Sequence, residues 1–196
     1  MMHPPTSSDP AAVFDLLTDL YEGRARRPYG LAGINQRAHA LQSGALARSM
    51  RCPRPLVVAA LLHDIGHMIH ELGEHPAARG VDDRHECVGA DWLASHFGPA
   101  VVAPVRAHVA AKRYLCAVDP GYLRRLSRDS LESLRLQGGP MTPAEVVSFQ
   151  AQAHWQDAVV LRRIDDLAKD PAASPPGFGS FRDDVLALLE HREPGH

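Results

Sequence analysis

The stretch Pro55-Leu56-Val57-Val58-Ala59-Ala60-Leu61-Leu62-His63-Asp64-Ile65-Gly66-His67 decides the fold. No charge interrupts Pro55 to Leu62, which predicts a helix buried on all sides. The residues that follow it, His63 and Asp64, are both metal ligands by type. An imidazole gives one nitrogen to one ion, whereas a carboxylate has two oxygens and can bridge two ions. Ligands held on a dry, rigid helix make a metal a stronger Lewis acid or redox centre.

Outward from this stretch, helical periodicity dominates. Asp9 to Glu22 carries a one-sided stripe of Val13, Leu16, Leu17 and Leu20, with Ser8 or Asp9 placed to cap it and Pro10 in its first turn. Asn35 to Met50 predicts a second helix and Pro55 to Leu72 a third. His85 to Phe97 and Val101 to Leu115 predict two more, separated by Gly98-Pro99. One or two short helices fit Tyr122 to Arg135, before the breaker Gly138-Gly139-Pro140. Thr142-Pro143-Ala144-Glu145 has the form of a capping box, and the helix it opens is predicted to run to about Ala168. Phe181 to Glu190 closes the series. No strand alternation and no internal repeat is visible, so the predicted fold is all-α, a helical bundle in a single domain over 1–196.

Composition narrows the function. A net charge of -2 and a pI near 6.6 argue for a small-molecule substrate and against nucleic acid. Cys52, Cys87 and Cys116 are scattered and form no C-x-x-C pair, as expected of reduced thiols in a cytoplasmic protein. The polar, Pro-containing start lacks the form of a signal peptide, and no apolar run reaches membrane-spanning length, so no membrane partner is expected.

Six ligand-capable residues fall on predicted helices: His39, His63, Asp64, His85, His108 and Asp165. Singly, each is more often a surface or hydrogen-bonded core residue than a ligand. Asp165, for instance, lies beside Asp166 and near Arg162 and Arg163 in a segment that also reads as a solvated charge run. Taken together with a His-Asp doublet in an apolar segment, they point to a metal centre.

The order His39, His63-Asp64, Asp165 resembles the HD-domain metalloprotein superfamily, and His85 and His108 resemble the extra ligands of its two-metal members. Four stretches narrow the resemblance. These are Arg37-Ala38-His39-Ala40-Leu41-Gln42, His63-Asp64-Ile65-Gly66-His67, His108-Val109-Ala110-Ala111-Lys112-Arg113-Tyr114-Leu115 and Leu136-Gln137-Gly138-Gly139-Pro140-Met141. They are similar to the small HD-domain oxygenases that cleave organophosphonates, the PhnZ- and TmpB-type enzymes, over about Tyr29 to Lys169.

The resemblance implies a mixed-valent Fe(II)/Fe(III) pair, with dioxygen as co-substrate. It assigns His39, His63, Asp64 and Asp165 to one ion, and Asp64, His85 and His108 to the other, Asp64 bridging. A 1-hydroxyphosphonate would chelate the first iron and be split to inorganic phosphate and a carboxylic acid. Tyr29 matches a mobile Tyr that guards the dioxygen-side iron. The Glu that recognises an ammonium tail in the aminoethylphosphonate enzymes is replaced here by Ala32, so a different or uncharged tail is expected, or a quaternary ammonium met by aromatic faces.

Spacing suggests substrate contacts. Lys112, one of only two lysines, lies four residues after His108 on the same helix face and can meet a phosphonate dianion. Arg162 lies three residues before Asp165; its fork either binds two phosphonate oxygens or pairs with Asp165 or Asp166. His67, four after His63, either contacts substrate or orients another ligand. Ser130 or Ser127 offers a hydroxyl to the substrate or caps a helix. The same ligand set also suits an HD phosphohydrolase acting on a nucleotide or phosphomonoester, because two metals can activate water. A non-catalytic binding protein has little use for an open two-metal site.

Overall fold

The computed structural model describes residues 9–23, 33–69 and 80–190, which are helical with no strand. In chain order the helices are α1 (Pro10–Glu22), α2 (Gln36–Ser49), α3 (Arg54–Leu62), α4 (Gly66–Ile69), α5 (His85–Leu93) and α6 (Pro99–Val118). After these come α7 (Tyr122–Arg125), α8 (Arg128–Leu136), α9 (Pro143–Gln150), α10 (Trp155–Leu167) and α11 (Arg182–Glu190). Tyr29 and Ala32 lie outside the described residues.

Helix α3 is the axis of the bundle. Leu56 through Leu62 are all buried, because α2, α6, α10 and α11 pack around it. That explains its unbroken apolar run: no face meets water. Helix α6 packs along α10, α5 and α3 and turns His108, Ala111, Lys112 and Leu115 inward at helical spacing. A second apolar cluster, with Tyr114, Tyr122, Leu134, Phe149 and Ala158, joins α6 to α7, α8, α9 and α10.

Caps set several helix starts. Asp9 accepts from Ala11 N, Asn35 from Ala38 N, and Ser127 from Ser130 N. At α9 the full capping box forms between Thr142 and Glu145.

Three predicted helices are shorter than expected, the one begun at His85 ending at Leu93 rather than Phe97. The helix begun at Pro55 ends at Leu62, and a turn through His63, Asp64 and Ile65 leads into α4. The His-Asp doublet therefore sits at the carboxyl end of a buried helix rather than inside one. The cause is close packing of the next layer. A Cβ on Gly66 would fall 2.0 Å from the His85 carbonyl oxygen, so the chain turns where α5 presses against it. The helix opened by Thr142 likewise stops at Gln150 and restarts at Trp155, with His154 at φ 62 between them. His154 bonds Asp157 through Nδ1 at 3.0 Å, which favours the turn.

Among the described residues no helix is long and apolar enough to cross a membrane.

Candidate metal centre

Four helices and one turn bring the ligand-type residues together. His39 comes from α2, His63 and Asp64 from the turn after α3, His85 from the start of α5, His108 from the middle of α6 and Asp165 from α10. All six are buried, His39 and His63 completely. Five of them, with His67, form two clusters, His39-His63-Asp165 and Asp64-His67-His85. His108 stands beside the second, its Nε2 3.2 Å from that of His85.

The Nδ1 atoms show which way each ring is protonated. His39 Nδ1 donates to Ala168 O at 2.9 Å, His63 Nδ1 to Ala60 O at 2.9 Å and His108 Nδ1 to Val105 O at 2.7 Å. A carbonyl oxygen only accepts, so the proton of each neutral ring is on Nδ1 and the Nε2 lone pair points inward. Yet His39 Nε2 and His63 Nε2 stand 3.2 Å apart, as do His85 Nε2 and His108 Nε2. Two nitrogens about 2.1 Å from one ion, at tetrahedral or octahedral angles, lie roughly 3.0–3.4 Å apart. The donor set therefore fits a cation between the members of each pair.

Asp64 lies between the pairs. Its Oδ2 is 3.6 Å from His39 Nε2, and its Oδ1 is 3.6 Å from His85 Nε2 and 3.8 Å from His108 Nε2. Asp165 Oδ1 is 3.1 Å from His39 Nε2. With no cysteine among the donors, these His/Asp clusters suit a dinuclear iron site rather than a structural zinc.

The electrostatics are those of a site built for cations. Burial alone would raise the carboxyl of Asp64, but His63, His67 and His85 hold it well below the usual carboxylate range. Burial opposes ionisation of Asp165 too, and Arg162 and Lys169 outweigh it. Burial pushes His63 down, and pushes His108 down further with the charge of His85. His85 is the exception. Burial lowers it, but the bond to Asp83 and the charge of Asp64 outweigh that and push it up to about 9. Burial, then the Arg162 charge, brings Lys112 down to about 7.

The remaining predicted residues fall around this core. Lys112 is buried and donates to Ser133 Oγ at 2.9 Å. Arg162 is turned toward protein: Nε donates to Tyr122 Oη at 3.0 Å, one terminal nitrogen lies 2.6 Å from Asp165 Oδ2, and the other bonds Asp166. His67 stacks on His85 with ring centres 3.9 Å apart. The helix break between them removes the i, i+4 relation of His67 to His63. Ser130 is half-buried and receives a bond from Ser127 Oγ at 3.0 Å.

Sequence reasoning missed Asp83, Ser133, Lys169 and Tyr122. Lys169, whose Nζ is 2.9 Å from Asp165 Oδ1, had a visible signal: it is four residues after Asp165 and is the other lysine of the chain. Asp83 lay in a polar stretch with nothing to separate it from Asp82. Two of the four stretches that carry the resemblance, those beginning at His108 and at Leu136, prove to be physically joined. Arg113, next to Lys112, donates to Gly139 O at 2.9 Å, and Met141 N donates back to Arg113 O at 3.2 Å. Gly138 and Gly139, at φ 93 and φ 72, make the turn that returns the chain to Arg113. That turn follows α8, the helix carrying Ser133, so both stretches hold α8 against α6.

An all-helical bundle with two His/Asp clusters, one of them holding the Asp of a His-Asp doublet that lies between the two imidazole pairs, defines an HD-domain metalloprotein. No family model matches the chain. It is 44% identical over 161 residues to a hydroxymethylphosphonate dioxygenase of Gimesia maris, covering 81% of this chain and 79% of that one. It is 34% identical over 178 residues to a [1-hydroxy-2-(trimethylamino)ethyl]phosphonate dioxygenase (glycine-betaine-forming) of Leisingera caerulea, covering 91% of each. An uncharacterised protein of Acanthamoeba polyphaga mimivirus is 30% identical over 176 residues, 88% of this chain and 80% of that one. The chain belongs to the HD-domain phosphonate dioxygenase family of PhnZ and TmpB type.

Proposed function

We propose that this protein is a diiron oxygenase that oxidatively cleaves the C–P bond of a 1-hydroxyphosphonate, with hydroxymethylphosphonate as its substrate. The observation that carries the chemistry is the pair of inward-facing Nε2 couples, each at 3.2 Å, on either side of Asp64. The choice of tail rests on the 44% identity to the hydroxymethylphosphonate enzyme against 34% to the trimethylamino one, and on Ala32, which offers no charge to an ammonium.

His39, His63, Asp64 and Asp165 hold the first ion, and Asp64, His85 and His108 the second. Bound there, the iron pair supplies the one-electron chemistry that dioxygen needs. The balance is simple: one hydroxymethylphosphonate dianion and one dioxygen give formate, hydrogen phosphate and one proton. The C–P bond breaks, and the four electrons that reduce dioxygen come from the substrate.

The protein's own groups bind and orient. Lys112 offers a buried cation to the phosphonate, and Ser133, its hydrogen-bond partner, offers a hydroxyl beside it. His67 and Ser130 complete the proposed substrate side. Because the donors of Arg162 are engaged by Tyr122, Asp165 and Asp166, we assign it to holding Asp165 in place while adding positive potential. Tyr29 is assigned the guard of the dioxygen side until substrate arrives. We further place the activity in one HD domain over 1–196, in the cytoplasm, where the unpaired Cys52, Cys87 and Cys116 remain reduced.

The test is phosphate release by iron-loaded protein from hydroxymethylphosphonate, the trimethylamino and aminoethyl 1-hydroxyphosphonates and phosphomonoesters, with and without dioxygen. Dioxygen-dependent release, fastest from hydroxymethylphosphonate, is expected. Release from phosphomonoesters alone, regardless of dioxygen, would make the protein a phosphohydrolase.

A further inference from the structure

The turn before α5 places a carboxylate behind two site histidines at once. Asp83 Oδ1 is 2.9 Å from His85 Nδ1 and also accepts from the His85 backbone N–H at 3.3 Å. Its other oxygen, Oδ2, is 2.9 Å from His67 Nδ1. The two rings are stacked, 3.9 Å between centres and 23° between planes. On the far side of the stack, His85 Nε2 and His67 Nε2 face Asp64 Oδ1 at 3.6 and 3.9 Å. Two imidazoles are thus held edge-on between two carboxylates, Asp83 outside and Asp64 inside.

We propose that Asp83 is a positioning residue that sets, with one carboxylate, the ring tautomer of both His67 and His85. Asp83 Oδ1 accepts the His85 Nδ1–H in a hydrogen bond, and Oδ2, 2.9 Å from His67 Nδ1 but out of line for a hydrogen bond, repels a lone pair there, so each Nδ1 carries the proton. His67 Nε2 then presents its lone pair toward Asp64, and His85 Nε2 does so once a bound ion displaces the second proton that its neighbouring carboxylates otherwise hold there. For His85 that is the state a metal ligand requires. For His67 it makes an acceptor, suited to a substrate hydroxyl proton rather than to a phosphonate oxygen. Glu86, the other acid nearby, is 3.8 Å from His85 Nδ1, beyond hydrogen-bond reach. The inference rests on the metal-centre reading above, and it couples the second-ion side of that centre to its substrate side through one residue of a loop.

Asp83→Asn separates the two roles. The amide has one oxygen and one N–H2 group, and the His85 backbone N–H holds the oxygen on its side. The N–H2 group then meets His67 Nδ1, and that ring must flip its tautomer. Iron content per chain is therefore expected to stay at two, while KM for hydroxymethylphosphonate rises about tenfold with a smaller change in kcat. Asp83→Ala removes both contacts and is expected to lose the second iron to a competing chelator, with loss of the EPR signal of the coupled pair. Loss of the second iron in Asp83→Asn also supports the clamp, with the amide turned the other way. Wild-type iron content and wild-type KM in Asp83→Asn would overturn the proposal, whether or not Asp83→Ala folds. Failure of the wild-type protein to hold two irons would instead remove the metal-centre reading.

Discussion

Lys112 Nζ donates to Ser133 Oγ at 2.9 Å from within the bundle, where burial and Arg162 bring its amine down to about 7. A lysine so placed is charged only in the lower part of the neutral range. Substrate affinity is expected to follow it, 1/KM falling as pH rises through about 7. Lys112→Met should raise KM about 10- to 100-fold at pH 6.5 and flatten that limb of the profile, as loss of a charge-assisted bond of ~1.5–3 kcal/mol implies. Stability runs the other way. The folded pKa lies below the unfolded one, so the cost of burying the charge is felt in full below about pH 7 and is relieved as pH climbs toward the ordinary lysine value of 10.5. Thermal melts of wild type and Lys112→Met across that window should converge at high pH. A KM profile unchanged by the substitution would remove Lys112 from the substrate site.

Asp64 faces both imidazole pairs, and its removal is expected to release both ions together. His108→Ala should chiefly weaken the second ion and leave the first. Metal analysis after dialysis against a chelator separates the two. Full occupancy in Asp64→Ala would contradict the bridging assignment.

Gly66 and Gly44 make a controlled pair of packing tests. A Cβ on Gly66 meets backbone, 2.0 Å from His85 O, whereas one on Gly44 meets the ring of Phe181 at 2.8 Å. A ring edge can shift and a backbone carbonyl in a packed turn cannot. Gly66→Ala is expected to cost at least the ~1–3 kcal/mol of ordinary overpacking and to weaken the second ion by displacing His85. Gly44→Ala should cost less and leave metal content unchanged. Equal metal retention in both variants would show that α4 and α5 can part without moving the ligand.

Arg162 neutralises Asp165 and Asp166 in a site that it shares with the Tyr122 hydroxyl. Arg162→Met leaves the carboxylates buried with less compensation, a defect of about 3–5 kcal/mol in comparable pairs. An ion held by Asp165 supplies part of the missing charge, so the loss in Tm should be smaller for iron-loaded than for chelator-treated protein. An identical loss in both forms would mean that Asp165 does not face the ion.

The fold was legible because one-sided stripes such as Val13, Leu17 and Leu20, and caps such as Thr142 with Glu145, are local signals. The six metal-type residues were legible for a different reason: their chemistry is rare in apolar segments. The break after Leu62 was hidden because Ile65, Met68 and Ile69 continue the apolar pattern of a helix, while the cause of the break is the approach of His85, distant in sequence. Asp83 and Ser133 were missed for the same reason. Each acquires its role from a partner on another element, and neither differs in residue type from its neighbours Asp82 and Ser130.

The stop at Leu62 also has a bearing on charge. A regular helix running through His63 and Asp64 would bury its peptide dipoles in mutual hydrogen bonds at that level. Ending α3 there aims the negative pole of its macrodipole toward the doublet. Two of its last carbonyls, Ala60 and Leu61, are steadied by His63 Nδ1 at 2.9 Å and the Tyr21 hydroxyl at 3.0 Å. The helix end thereby adds a fixed negative potential of backbone origin, one that no side-chain substitution removes, to the attraction that gathers cations between the histidines.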